Sequence, residues 1–273
     1  MVRAWKLAAL VVTATAVSAL ATTADAAPFT IRVTIENLAP ARGNLLTPVW
    51  IGFHDGTFDL YNQGAVISPA LERLAEDGNT APLSAMFAAA PGALADGTSL
   101  GPSGPIAPGQ STTSAFVLDS RQLTYFSYAS MVIPSNDAFI ANGNPLAFQV
   151  FDGRGRFGAV DVTVLGRMVW DAGSEVNDET PMNTAAFGQA SPDTGVAENG
   201  VVSLHPGFMP RGSGGILDDE MFASADFTEA GYQIARITVT ATPVPEPASM
   251  GLLALGIAVL GGRLHRRVSG RRP

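Results

Sequence analysis

The chain has 273 residues, 47% of them hydrophobic, enough for one substantial core, and its 29 glycines and 19 prolines favour a turn-rich, all-β fold. It contains no cysteine, which excludes disulfides and thiolate metal sites. Residues 28 to 243 carry 22 acidic side chains against nine arginines and no lysine, a net charge near −13 that argues against nucleic acid and anionic lipid as partners and favours divalent cations.

Arg3 and Lys6 precede an apolar run over residues 7 to 21, and Ala24 and Ala26 put small residues at the two positions that a signal peptidase reads. Residues 1 to 26 are therefore expected to be a secretory signal, cut between Ala26 and Ala27. The run is short for a membrane anchor.

Phe29, Ile31, Val33 and Ile35 alternate with polar residues, the period-two pattern of a strand with one buried face. A second strand is expected over residues 49 to 53, closed by the turn chemistry of His54-Asp55-Gly56. His54 has no second histidine at metal-binding spacing and reads as a polar strand end. Ser68-Pro69 ahead of Leu71 and Leu74, with Gly78 beyond, gives an N-cap, a first-turn proline and a C-terminal glycine for a short helix. A second helix is expected over residues 82 to 90, and residues 93 to 110, dense in Gly and Pro, read as a long loop.

Strands then come in quick succession, over residues 114 to 118, 123 to 133, 146 to 151 and 160 to 169, which predicts an antiparallel β-sandwich. Asp152-Gly153-Arg154-Gly155 reads as a hairpin turn. Residues 171 to 230 are mostly loop, with acidic clusters at 175 to 179 and 218 to 220, before a last strand over 233 to 240. So long a loop in a compact domain needs something to order it, such as an ion.

Two acidic turns come after strand-like runs. One is Ser135-Asn136-Asp137, after the stop at Pro134, and the other spans residues 170 to 179 and holds Asp171 and Glu175. Both turns are placed to end at one pole of a sheet protein, and carboxylates with Asn, Ser and backbone oxygens in loops suit a hard cation such as Ca²⁺. Val132-Ile133-Pro134-Ser135-Asn136-Asp137-Ala138-Phe139, with Trp170-Asp171-Ala172-Gly173-Ser174-Glu175 after it, resembles the bacterial form of the spondin-type domain of extracellular matrix proteins, over most of residues 29 to 240. The resemblance implies a C2-like β-sandwich with a cation at one pole and assigns Asp137 and Asp171 to its ligands. The family's further acidic ligand lies on the preceding strand, where strict register gives Leu118 and the neighbour is Asp119. The candidate metal set is thus Asp137, Asp171, Asp119 and Glu175. The competing reading is that these aspartates only cap turns by accepting backbone N–H groups.

The tail runs through Pro245-Glu246-Pro247 into an apolar segment over residues 250 to 262 and then an arginine cluster. These three ordered parts resemble the PEP-CTERM sorting signal of Gram-negative bacteria. That resemblance implies an exosortase-type processing enzyme as partner, transient residence in the inner membrane through a short C-terminal helix, and a destination at the cell surface or in the extracellular matrix. The expected organisation is a signal peptide (1 to 26), a sandwich domain (27 to 242) and a sorting tail (243 to 273).

Between the terminal segments only His54 and His205 remain as histidines, and neither Gly-x-Ser-x-Gly nor His-Glu-x-x-His occurs. The expected function is non-enzymatic: a calcium-binding adhesion module whose partner is an extracellular polysaccharide or a surface protein. The alternatives are a secreted hydrolase acting on exopolysaccharide through paired carboxylates, or a purely structural matrix component.

Overall fold

The computed structural model describes residues 28 to 244, so the expected signal peptide and most of the sorting tail lie outside the described residues. In chain order the strands are β1 (Pro28–Asn37), β2 (Leu45–Leu46), β3 (Val49–His54), β4 (Ala93–Ser99), β5 (Ser111–Asp119), β6 (Leu123–Ile133), β7 (Ala138–Ala141), β8 (Gln149–Asp152), β9 (Val160–Leu165), β10 (Trp170–Asp171), β11 (Ser203–Leu204) and β12 (Gln233–Pro243). Two short helices, α1 (Pro69–Asp77) and α2 (Ala81–Ala88), come after β3. The strands form two antiparallel sheets, one ordered β5-β1-β12-β9 and the other β11-β10-β7-β6-β3-β4, with β2 and β8 also pairing with β6. This is the expected β-sandwich.

The alternation read in β1 is the inner face of the smaller sheet: Ile31, Val33 and Ile35 are fully buried and meet Ile237 and Val239 of β12 in the main core. Strand β3 is buried along its whole length because the larger sheet is covered on both faces. Val49, Ile51 and Phe53 enter the main core, while Trp50 points the other way, into a second core with Leu71 and Leu74 of α1 and Leu83 and Phe87 of α2. Each such aliphatic or aromatic side chain contributes roughly 1.5–3 kcal/mol on burial. Gly52 makes room for the indole: a Cβ there would sit 2.2 Å from the Trp50 ring. Helix α1 has the expected ends, with Ser68 Oγ accepting from Leu71 N at 3.3 Å and Gly78 in the left-handed region at φ 66°.

Besides the two-residue strands β2, β10 and β11, two strands escape the sequence pattern. β4 lies where a loop was expected; its sequence, ALADGTS, has turn-like composition, and as an edge strand it is held by backbone pairing to β3. β7 is only four residues long and comes directly after the Ser-Asn-Asp turn.

The two poles of the sandwich carry different parts of the chain. β1 and β12 pair antiparallel with Phe29 opposite Pro243, and Pro28 also faces Asp119, so both ends of the described chain leave from the pole where β5 ends and β6 begins. At the far pole, Asn37 donates to Asn44 O and Ile106 O, and Leu45 pairs with Ile133 at the end of β6. Among the described residues, no helix is long and apolar enough to cross a membrane.

Candidate metal centre

Pro134 has no N–H to extend the ladder, so β6 stops there. Ser135 closes the turn, its Oγ donating to Val132 O at 2.6 Å and accepting from Ala138 N at 3.2 Å. The chain then returns as β7 beside β6, and β10 pairs with β7 so that Asp171 lies opposite Ala138. This brings Asp137 and Asp171 to neighbouring strand ends at the pole away from the chain termini, and Ala172 N donates to Asp137 O at 3.3 Å.

Asp137 is fully buried. Its Oδ2 accepts from Ser174 N at 2.9 Å, Ser174 Oγ at 3.1 Å and Glu175 N at 3.0 Å. Its Oδ1 is buried with no hydrogen-bond partner. Burial first, and then the charge of Asp171, push the Asp137 carboxyl up to about 7, against the pull of those three donors. Among the described residues, neither Asp137 nor Asp171 has an ion-pair partner. Two adjacent buried carboxylates with an idle oxygen and no cationic side chain need either a proton or a cation.

Asp171 is braced from its other side. Oδ1 accepts from Gly173 N at 2.6 Å and Oδ2 from Asn177 Nδ2 at 2.6 Å. Asn177 Oδ1 lies 3.1 Å from His205 Nε2, and His205 Nδ1 accepts from Gly207 N at 3.1 Å. That acceptor role assigns the imidazole proton to Nε2, which donates to Asn177. Burial holds the His205 ring down to about 4, so it is neutral and relays orientation rather than charge.

The other two expected ligands do not join this pair. Glu175 gives Asp137 its backbone N–H, but its carboxylate turns away to accept from Gly195 N at 3.0 Å. Burial pushes it up to about 7 as well, while Oε2 has no partner. Asp119 sits at the opposite pole: it ends β5, and the eleven residues of β6, at about 3.3 Å each, separate it from the Asp137 turn. There it accepts from Arg121 N at 2.9 Å, which above all holds its carboxyl below the usual range, and it pairs with the Arg121 guanidinium at 3.4 Å. The capping reading describes Asp119 in full.

Sequence reasoning missed three supports. Asn177 and His205 come together only in the folded loop, 28 residues apart. Glu179 has a positive φ of 49° and a buried carboxylate that accepts from Met209 N and, at 2.7 Å, from Ile216 N, pinning the later part of the loop. Its place in the acidic run was visible, but its inward orientation was not.

The family model for the PEP-CTERM protein-sorting motif matches residues 243–267 of the chain. Comparison with curated proteins gives no match. The sorting motif marks the protein for export and for recognition by an exosortase, towards the cell surface or the extracellular space. It begins where β12 ends. No family match carries the spondin-type resemblance of the sandwich.

Proposed function

We propose that the sandwich is a calcium-binding, non-enzymatic module that attaches to an extracellular polysaccharide or a surface protein after export, once Ala27 has become its first residue and the tail beyond Pro243 has been removed. Asp137 and Asp171 hold the ion. The observation that carries this reading is the buried, partnerless Oδ1 of Asp137 beside a second carboxylate with no ion pair. Oxygen donors on loops are the ligands calcium takes, and the resemblance to spondin-type domains supports the same pair. Bound there, the ion would hold the turn after β6 to the start of the acidic loop, and so set the shape of the pole that faces away from the chain ends. Val66 is exposed at a cleft where the segment before α1 meets the acidic loop, lined also by Ile67, Gly173, Ser174 and Ala197, which gives a partner apolar contact area.

A hydrolase would use the separated titration of such a pair for acid and base roles. The full burial of Asp137 argues against this, because a glycosidic oxygen has to reach the acid. The test is capture of the secreted protein by the producing cell's own extracellular polymer, with calcium and with chelator. Retention in calcium and release in chelator is the expected result. Retention independent of calcium would support the structural-component reading, and soluble sugar released from the polymer would support the hydrolase.

A further inference from the structure

A second group of carboxylates meets where α1 packs against the acidic loop. One oxygen from each of Glu76, Glu175 and Asp193 lies within 4.8 Å of the others. Glu76 is 2% exposed and Glu175 is 3% exposed, while Asp193 stands at the surface. Gly195 lets the loop close over Glu175, since a Cβ at that position would fall 2.0 Å from the carboxylate carbon. Its N–H satisfies Oε1 and leaves Oε2 buried without a partner.

Arg73 is the cationic side chain on this group. Its Nη2 contacts Glu76 Oε2 closely, lies 3.3 Å from Asp193 and 3.6 Å from Glu72, and its Nη1 lies 3.0 Å from Asp77. A single guanidinium thus faces Glu72, Glu76, Asp77 and Asp193, with Glu175 behind them. It does not reach the free oxygen of Glu175, and two of these carboxylates are almost fully buried, where an uncompensated charge is costly. The excess of negative charge over one arginine is what a divalent ion offsets.

We infer that Glu76, Glu175 and Asp193 form a second calcium site, which ties α1 to the acidic loop and shares no carboxylate with the Asp137–Asp171 pair, although Glu175 N donates to Asp137. All-carboxylate donors without histidine or cysteine select a hard cation, and a ligand set divided between a helix and a loop suits the flexible coordination of Ca²⁺ over the strict octahedron of Mg²⁺. When the ion binds, Arg73 swings off Glu76 and Asp193 and keeps Asp77 and Glu72. With one ligand at the surface, the expected dissociation constant is roughly 10⁻⁴ to 10⁻³ M, the range of extracellular calcium modules.

Calcium titration calorimetry on the secreted protein at pH 7.5 tests this with three variants: Asp193→Asn, Arg73→Gln and Asp137→Asn. Asp193 is exposed, so its variant is expected to keep the wild-type far-UV spectrum. Wild type should bind two ions. Asp193→Asn should weaken one of them at least about tenfold, Arg73→Gln should tighten that same ion by removing its competitor, and magnesium should not replace it. If Asp193→Asn binds like wild type, or Arg73→Gln leaves the affinities unchanged, the second site is rejected. Loss of the other ion in Asp137→Asn speaks only to the first site, so the two readings fail separately.

Discussion

Asp119 and Asp137 flank the two ends of β6, and their sequence contexts look alike: each is a turn aspartate beside a strand end. Their physical states are opposite. Asp119 is open to solvent with Arg121 against it, and its carboxyl is held low. Asp137 is sealed under the acidic loop with no ion-pair partner, and its carboxyl is driven up to about 7. Turn chemistry is a local property that four or five residues encode. Burial and counter-charge depend on what packs over the turn, and at Asp137 that is a segment beginning more than thirty residues later.

The largest effect should come from removing each side chain. Asp137→Ala leaves Ser174 N, Ser174 Oγ and Glu175 N without their shared acceptor in a buried site, and bonds to a charged acceptor contribute roughly 1.5–3 kcal/mol each before non-additivity. A total loss of about 3–5 kcal/mol is expected in urea unfolding, against less than about 1 kcal/mol for Asp119→Ala at its exposed turn. Equal losses at the two positions would erase the contrast.

A smaller and more selective effect concerns calcium and pH. Without metal, the Asp137 pKa in the folded chain lies above its unfolded value near 3.8, so the folded state holds the proton more tightly. Stability from this group is therefore fully present below pH 3.8 and is lost as pH rises to about 7. Calcium needs the ionised carboxylate, so its stabilisation should grow across the same window, reaching about 2.7 kcal/mol when free calcium is a hundredfold above the dissociation constant. Thermal melts at pH 5 and pH 8, in calcium and in chelator, read both trends. Asp137→Asn should make the chelator curve shallower, leaving the part that Glu175 contributes over the same window, and should lose the share of the calcium gain that comes from this ion. A wild-type midpoint that calcium leaves unchanged at pH 8 would remove the Asp137–Asp171 metal centre.

The sandwich was legible because its signals are local. The period-two pattern of Ile31, Val33 and Ile35 marks β1, the stop at Pro134 marks the end of β6, and Ser68 with Gly78 brackets α1. β4 was not legible, since an edge strand held by backbone pairing needs no apolar face and its Asp96-Gly97 pair reads as a turn. That Asp137 and Asp171 end at one pole was anticipated, because both turns come after strand-like runs; the pairing of β10 with β7 that brings them together was not. The roles of Glu175 and Glu76 were hidden: a carboxylate in an acidic run looks the same in sequence whether it faces solvent, a backbone N–H or another carboxylate. Those three fates fall here to Glu220, Glu179 and Glu175.

The smallest expected effect is also the one that separates register from structure. Counting along β5 from the spondin-type pattern puts an acidic ligand at or beside residue 118, and Asp119 is the nearest carboxylate. The fold places it some eleven strand residues from the Asp137 turn, already satisfied by Arg121. Asn in its place still accepts the Arg121 N–H through its side-chain oxygen and loses only an exposed ion pair, a contribution of roughly 0–1 kcal/mol that salt screens. Asp119→Asn should therefore leave the number of bound calcium ions, their affinities and the calcium-induced rise in melting midpoint as they are in wild type. A calcium affinity that falls in this variant as it does in Asp137→Asn would mean that the β5 end reaches the metal, which the separation along β6 forbids, and the polar arrangement of the sandwich would have to be redrawn.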